Sequence, residues 1–498
     1  MSRTPDSAPH AVFRPAWSPE IGGGHLMRCL TLAQAMHNQG WRISIAVDET
    51  AGPTLSRNKP FDYTVVSLPH DRSRSAETLM DRVDTQCRVL VVDDYTLDST
   101  FEAALSGWAE NILVVDDLAD RSHDCGYLLD ASPRRSESAY AGLVPPACKI
   151  LAGPAFALIR QEFALGRANA LGRRAAIRSV DRILISFGLT DARNMTLTAL
   201  EAVRYSGLDL IVDVVLGEEA PHLNEVSRFA DTTGSRVIVH RNPKNLADLI
   251  NGADLAIGAP GVSSLERCCL GLPTITVPVA DNQNHNGRAL ADIGAIELLD
   301  ADISASDLSF ALNQVAGDID AVRRMSAAAF GVCDGRGAAR TFLSVSPEAT
   351  KAGGGISCRP VTTSDTDTIF RWQCAPGSRN YSRNPNPPTY AEHRAWMLRR
   401  LAPNPGLFEM MLMNGTPAGF VRLDADPSAS DAYEISILIS PAMRGEGVGA
   451  ASLAAVRRLV PEGTFLAFVH QENLPSHKIF SAAGYVLEGD HFVSHPAS

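Results

Sequence analysis

The chain lacks the features that mark several large protein classes. Its nine cysteines form no CxxC pair, and none sits with histidine at zinc-ligand spacing, so no metal site is expected. Their scatter and odd number predict free, mostly buried thiols in a reducing compartment. No apolar run approaches bilayer-spanning length, and "MSRTPDSAPH" has no basic segment leading into an apolar core. A soluble, cytoplasmic protein with no membrane partner is expected. Positive charge is also short: 45 Lys+Arg against 56 Asp+Glu give a formal net charge of -11, which excludes a nucleic-acid footprint. An anionic small-molecule substrate must then be met by local cations and loop amides. No repeat of solenoid period is visible.

What the chain has is length and apolar content. Its 498 residues, 45% of them hydrophobic, suit about three domains. Runs such as "WRISIAVD", "RVLVVDDY", "NILVVDDL", "DRILISFG", "DLIVDVVLG", "ADLAIGA" and "LPTITVPV" show little polar alternation and are separated by helical patterns. That texture predicts an α/β fold with parallel, doubly wound sheets covered on both faces. The basic, strand-free stretch "QEFALGRANALGRRAAIRSVD" divides the runs into two Rossmann-like domains, 1–165 and 166–345. "SPEATKAGGGIS" (346–357) reads as a linker, and 358–498 as a separate α+β domain.

Candidate site residues fall on loops after strands. In "EIGGGHLMRCLTLAQAM" a glycine loop opens a helix, so Gly23 and Gly24 free backbone amides while His25 and Arg28 stand at a mouth fit for an anion. Strand ends elsewhere supply Asp93, Asp94 and Tyr95, of which Asp94 and Tyr95 are read as substrate-binding, then Asp116 and Asp117; Arg160, read as substrate-binding too, follows an apolar strip. In the second domain Gly188, Thr190 and Asp191 occupy one such loop. Gly261, Ser263, Ser264 and Glu266 occupy another, followed by Asn282 and Gln283. Small residues there suit a diphosphate, and Glu266 suits ribose hydroxyls, although Ser-Ser before Glu also reads as an ordinary helix cap.

In the last domain "YEISILIS" leads to "RGEGVG", with Arg444, Gly445, Gly447, Val448 and Gly449 opening a helix, again a pyrophosphate seat. This loop, followed by N-x-x-S-x-x-x-F-x-x-x-G-Y, resembles the acetyl-CoA core of the GNAT N-acetyltransferases. The resemblance implies acetyl-CoA as co-substrate, with loop amides on its pyrophosphate and the Leu438 and Ile439 backbone on its pantetheine arm. It also implies Asn473 on that arm and Glu434 as base for the acceptor amine. Phe480 stands where many relatives have a tyrosine acid. "IFRWQCAPGSRNYS" and "TYAEHRAWMLRRL" resemble the nucleotide-sugar branch, which suggests Trp372, His393 and Trp396 as pocket residues, core aromatics being the commoner role.

"FRPAWSPEIGGGHLMRCLTLA", "VVDDYTLD", "VVDDLADRSHDC", "LAGPAFALIRQEF", "SFGLTDARN", "GAPGVSSLE" and "DNQNHN" together resemble the UDP-sugar hydrolases of pseudaminic acid biosynthesis, relatives of MurG-type GT-B glycosyltransferases. This implies metal-free hydrolysis of UDP-2,4-diacetamido-2,4,6-trideoxy-β-L-altropyranose with His25 as base, in a pathway feeding flagellar or surface glycans. Ala16 and Leu189 depart from that family's Asp and Gly. The alternative is a GT-B glycosyltransferase with an appended CoA-binding or acetyltransferase module.

Overall fold

The computed structural model describes residues 8–17, 23–49, 59–69, 75–83, 85–233, 236–404, 406–426 and 431–496. They divide into two compact units, Met1–Ala338 and Ala339–Ser498. Among the described residues no helix is long and apolar enough to cross a membrane.

The first unit holds two parallel sheets. One is built from β1 (His10–Pro15), β2 (Arg42–Asp48), β3 (Thr64–Leu68), β4 (Cys87–Asp93), β5 (Ala109–Val115), β6 (Tyr127–Asp130) and β7 (Lys149–Ala152). Its order is β3-β2-β1-β4-β5-β6-β7. The other takes β8 (Arg182–Ser186), β9 (Ile211–Leu216), β10 (Val237–Arg241), β11 (Leu255–Gly258), β12 (Thr274–Thr276) and β13 (Ile296–Leu298), in the order β10-β9-β8-β11-β12-β13. The central strands carry buried apolar runs because helices cover both faces; Val89 to Val92 of β4 are all buried, while Arg14 and Asp93 stand at the strand ends. Each sheet reverses its winding between its first and fourth strands, so a crevice opens beyond β1 and β4 and another beyond β8 and β11.

The basic stretch that sequence reads as a break is the helix Gln161–Ala175, and the expected 165/166 boundary falls inside it. Its arginines are spent on the carbonyl ends of other helices. Arg167 donates to Cys269 O and Cys333 O at 2.8 Å and to Phe330 O at 2.7 Å. Arg173 reaches Gly252 O at 2.8 Å, and Arg174 reaches Ile250 O at 2.8 Å as well as Ala253 O. Three helices that end near these carbonyls, Leu246–Gly252, Ser263–Cys269 and Ile319–Phe330, are thereby capped by cations at their negative poles.

The second unit has one sheet of β14 (Glu348–Ala349), β15 (Gly355–Pro360), β16 (Leu407–Met413), β17 (Thr416–Ala425), β18 (Ala432–Ile439), β19 (Thr464–Phe468), β20 (Val486–Glu488) and β21 (His491–Ser494). The order is β14-β15-β16-β17-β18-β19-β21-β20, antiparallel except for β18 with β19. That parallel pairing runs only through Ala432↔Thr464, Tyr433↔Phe465 and Glu434↔Leu466. Beyond Glu434 the two strands part, leaving a fork.

The segment 346–357 is not a linker. Glu348–Ala349 and Gly355 onward form an antiparallel hairpin, and Ile356 to Pro360 continue pairing along Met413 to Glu409. The hydrogen-bonding capacity of β16 recruits a sequence that composition alone reads as flexible.

Arg340, fully buried, holds Glu409 of β16 through Nη2–Oε1 at 2.6 Å and Nε–Oε2 at 3.1 Å. Breaking a buried pair strands the surviving charge. Arg340→Ala is expected to destabilise the second unit by about 3–5 kcal/mol, and the Arg340→Met/Glu409→Met double variant by clearly less. Urea unfolding followed by circular dichroism measures both.

Candidate functional sites

The crevice of the first sheet is organised by Asp93, the last residue of β4, which is wholly buried. The helix Gly24–His37 begins beside it and turns His25, Arg28 and Cys29, at i, i+3 and i+4, toward its carboxylate. His25 Nδ1 lies 2.6 Å from Asp93 Oδ1. Arg28 places Nη2 2.6 Å from Oδ1 and Nε 2.6 Å from Oδ2. Burial works to raise the Asp93 pKa, but the Arg28 charge and the bonds from His25 and Arg28 hold it below the usual carboxylate range. A carboxylate only accepts, so Nδ1 is the ring nitrogen that donates to Asp93, and Arg28 Nη2 lies 3.0 Å from the same nitrogen. Tyr95 packs edge-on to the imidazole, ring centres 4.6 Å apart. Its hydroxyl donates to Asp117 Oδ1 at 2.6 Å, and Arg28 Nη1 reaches Asp117 Oδ2 at 3.2 Å.

Other expected residues are placed differently. Asp94 accepts from Thr96 N at 2.9 Å and Thr96 Oγ1 at 2.6 Å, so it builds its own turn. Gly23 and Gly24 have no positive φ, and among the described residues a Cβ on either would meet nothing within 4 Å. Their use is open space rather than special backbone geometry; Gly22 lies outside the described residues. Ala16 donates its N–H to Asp93 O at 2.7 Å, so this position abuts the end of β4.

Across the second sheet's crevice, Gly188 has φ +98 and Leu189 is 48% exposed without positive φ. The glycine takes the left-handed position, and Leu189 imposes no strain. Asp191 accepts from Met195 N at 3.0 Å and Thr196 N at 2.9 Å, starting the helix Met195–Ser206. Thr190 is half-buried beside it. In the next loop Ser264 Oγ donates to Gly261 O at 2.5 Å, and Ser263 Oγ accepts from Arg267 at 3.3 Å. Gln283 Oε1 accepts from Val279 N at 3.0 Å, while exposed Asn282 caps the helix Gln283–Ile293 without a side-chain bond. An open cleft of about 530 Å³ is lined by Arg28, Asp117 and Ser132 from one half and by Gly261, Ser264 and Asn286 from the other.

Glu266 stands 3.6 Å from Arg160. Burial pushes its carboxyl up to about 7, against the pull of Arg160 and Arg267.

In the second unit Gly445 and Gly447 both have φ +86, and Gly447 starts the helix Val448–Leu459 with no side-chain cap. A Cβ on Gly447 would meet the Lys351 backbone N at 2.7 Å, and one on Gly449 would meet Ile479 at 3.0 Å. The hairpin turn and the loop are thus closely packed, and the uncapped amides of the first turn fit an anion. Arg444 donates to Ser378 Oγ at 2.7 Å. Val448 is buried in the core, and Leu438 and Ile439 lie half-buried on the arm of β18 beyond the fork. Asn473 accepts from Ser476 N at 3.3 Å, capping the helix Leu474–Ala482. Glu434 sits at the fork, with Arg383 Nη2 2.9 Å from Oε1. Phe480 is buried between Tyr485 and Phe492. His393 is buried and bonds Thr366 O at 2.9 Å, while Trp372 and Trp396 pack against the Phe408 and Phe420 cluster, so these aromatics sit with the core.

These geometries define a GT-B-like pair of Rossmann domains and a GNAT-like domain. Residues 356–486 match the acetyltransferase (GNAT) domain family. MurG of Acinetobacter baumannii shares the fold of the first part at TM-score 0.51 and 15% identity, covering 68% of this chain and 99% of that one. The chain is homologous to the UDP-2,4-diacetamido-2,4,6-trideoxy-beta-L-altropyranose hydrolase of Campylobacter jejuni, 25% identical over 251 residues, 49% of this chain and 83% of the relative. It is 22% identical over 264 residues to the Methanocaldococcus jannaschii protein MJ1062, and this match spans 52% of the chain and only 54% of that relative.

The expectation of Asp94 as the site acid of its pair is corrected to Asp93, the one turned to His25 and Arg28, while Asp117 is the member of the second pair that meets Tyr95 and Arg28. An acid whose native pKa is raised binds protons that the unfolded chain has already released. Between about pH 4.5 and 7, therefore, Glu266 lowers stability as pH rises. Unfolding free energies of wild type and Glu266→Gln, measured across that range, are expected to diverge in the variant's favour toward pH 7 and then run parallel.

Proposed function

We propose that the chain performs two successive steps on one sugar nucleotide. The second unit acetylates the 4-amino group of a UDP-4-amino-4,6-dideoxy-N-acetyl-altrosamine. The first unit then hydrolyses UDP-2,4-diacetamido-2,4,6-trideoxy-β-L-altropyranose to UDP and the free sugar. The observation that carries the reading is the His25–Asp93 dyad beside a cleft whose far wall is Gly261 and Ser264.

In the hydrolytic step His25 Nε2 takes a proton from water as its oxygen attacks C1. The C1–O bond breaks and its electron pair leaves on UDP. Asp93 holds the tautomer and stabilises the imidazolium that forms. The Gly261 and Ser263 amides and the Ser263 hydroxyl meet the diphosphate, with Gly188 and Thr190 on the adjoining loop, while Ser264, whose N–H and hydroxyl both go to Gly261 O, shapes the turn. Glu266 accepts from the ribose, and Arg160 steadies it. Arg28, through Asp93 and Asp117, keeps the imidazole wall in place.

In the transfer step acetyl-CoA supplies the acetyl group. The loop Arg444–Gly449 seats its pyrophosphate, and the β18 backbone at Leu438 and Ile439 aligns its arm. Glu434 takes the proton released as the acceptor nitrogen attacks the thioester carbonyl; the C–S bond breaks, and the thiolate is protonated from solvent. Asn473 is committed to a helix cap through its oxygen, which leaves its amide N–H₂ as the group for the CoA arm.

One-tube NMR with acetyl-CoA and the 4-amino sugar nucleotide tests both steps. His25→Ala is expected to slow UDP release by about 10²–10⁴-fold, and Asp93→Asn by a comparable factor with UDP affinity retained. UDP release that requires an acceptor hydroxyl would instead assign the first unit as a glycosyltransferase. Gly447→Trp is expected to abolish thiol release from acetyl-CoA while leaving hydrolysis of the diacetamido sugar nucleotide at the wild-type rate.

A further inference from the structure

A strap crosses the fork of the second unit. It is the largely exposed segment 375–389, between the helices Thr366–Cys374 and Tyr390–Leu401. It touches three parts of the acetyl-transfer region. Ser378 accepts from Arg444 of the pyrophosphate loop at 2.7 Å. The Tyr381 ring lies 5.4 Å from that of His470, just past β19. Arg383 sits in the fork itself, with Nη2 2.9 Å from Glu434 Oε1 on β18 and its guanidinium carbon 5.9 Å from the Phe468 ring on β19.

We propose that Arg383 holds the place of the acceptor's ammonium group, so that the acceptor binds by exchanging with it. The inference rests on Glu434 as the acceptor-side carboxylate. It adds to that reading the way the acceptor amine enters, as a cation that displaces Arg383 from Glu434. Three features favour exchange. The pair is made by a single nitrogen with side chains 69% and 40% exposed, so it holds weakly, unlike a buried two-pronged pair. A primary amine is mostly protonated near neutrality, and the same carboxylate and aromatic face that receive a guanidinium receive an ammonium. The strap's tether to Arg444 uses a donor that a bound diphosphate also attracts, so an anion in that loop loosens the strap. The exchange makes no covalent bond: Arg383 keeps its proton, the ammonium passes one proton through Glu434 to solvent before it can attack, and the second, released on attack, goes to Glu434.

The test compares acetylation of the UDP-4-amino sugar by wild type, Arg383→Ala and Arg383→Lys in the full chain. Removing the competing cation is expected to lower the acceptor KM by about two- to fivefold, the span that exposed pairs represent, while Arg383→Lys stays near wild type. An acceptor KM in Arg383→Ala that is unchanged or higher overturns the proposal. A second measurement does not depend on turnover. The Arg383 side-chain N–H signal, assigned by its loss in Arg383→Lys, is followed during titration with methylammonium chloride against sodium chloride of equal ionic strength. A shift specific to methylammonium supports the exchange; identical responses overturn it. If Glu434→Gln acetylates at the wild-type rate, the base assignment falls, and the methylammonium titration still decides the exchange.

Discussion

The first unit is organised around one buried carboxylate. Asp93 has no exposed surface, and an isolated charge in that position would cost several kcal/mol. Two bonds from Arg28 and one from His25 offset that cost, and in doing so they fix three things at once. They dock the first turn of the helix Gly24–His37 on the end of β4. They place the imidazole at the point where the sheet's winding reverses. They choose which ring nitrogen bears the proton. Arg28 then extends the network to Asp117, whose other oxygen holds Tyr95 edge-on against the imidazole. The ring is therefore restrained on two sides by groups that are themselves restrained.

Glu266 shows what happens without such compensation. Arg160 is 3.6 Å away and is shared with Glu162 at 3.0 Å, and Arg267 adds only a longer-range pull. Burial wins over that attraction, and the carboxyl titrates near neutrality at about 7. One half of the unit thus has a carboxylate locked in its charged form, and the other has one left open to a hydrogen-bonding ligand. The contrast follows from where the arginines go. Arg167 and Arg174 are consumed by helix-end carbonyls, and Arg173 by such carbonyls and by Asp254 at 2.6 Å, which positions the helices of the second sheet and leaves these charges away from Glu266.

The alternation of apolar runs and helical patterns made both parallel sheets readable, and contiguous motifs exposed His25, Arg28 and the "RGEGVG" loop. Phase was harder. In "VVDDYTLD" and "VVDDLADR" the sequence offers two adjacent aspartates, and at a strand end neighbours point opposite ways. Asp93 turns to the helix, whereas Asp94 turns to Thr96. Asp117 faces Tyr95 and the cleft, whereas Asp116 bonds Ala119 N and Tyr140 inside the fold. Nothing local decides the phase; the partner 65 residues away in the chain does. The glycine-rich 346–357 misled for the opposite reason. Its composition reports only local freedom, and the strand Leu407–Met413, far along the chain, supplies the pairing that orders it.

In each unit the candidate site lies where a sheet interrupts its own pattern. In the parallel sheets the break is in winding: helices leave β1 and β4, or β8 and β11, toward opposite faces, and a crevice opens between them. In the second unit the break is in pairing: β18 and β19 share three residue pairs and then separate. A continuous sheet consumes its backbone donors and acceptors in its own ladder. At a break they are released at a rigid edge, with no cost of distorting the ladder, and the loops that follow add helix amides aimed the same way. Glycine is useful in those loops only where the geometry demands it. Gly188, Gly445 and Gly447 need their positive φ, while Gly23 and Gly24 do not. A glycine-rich motif therefore marks where a ligand has room, and the buried charges behind it decide what chemistry that room supports.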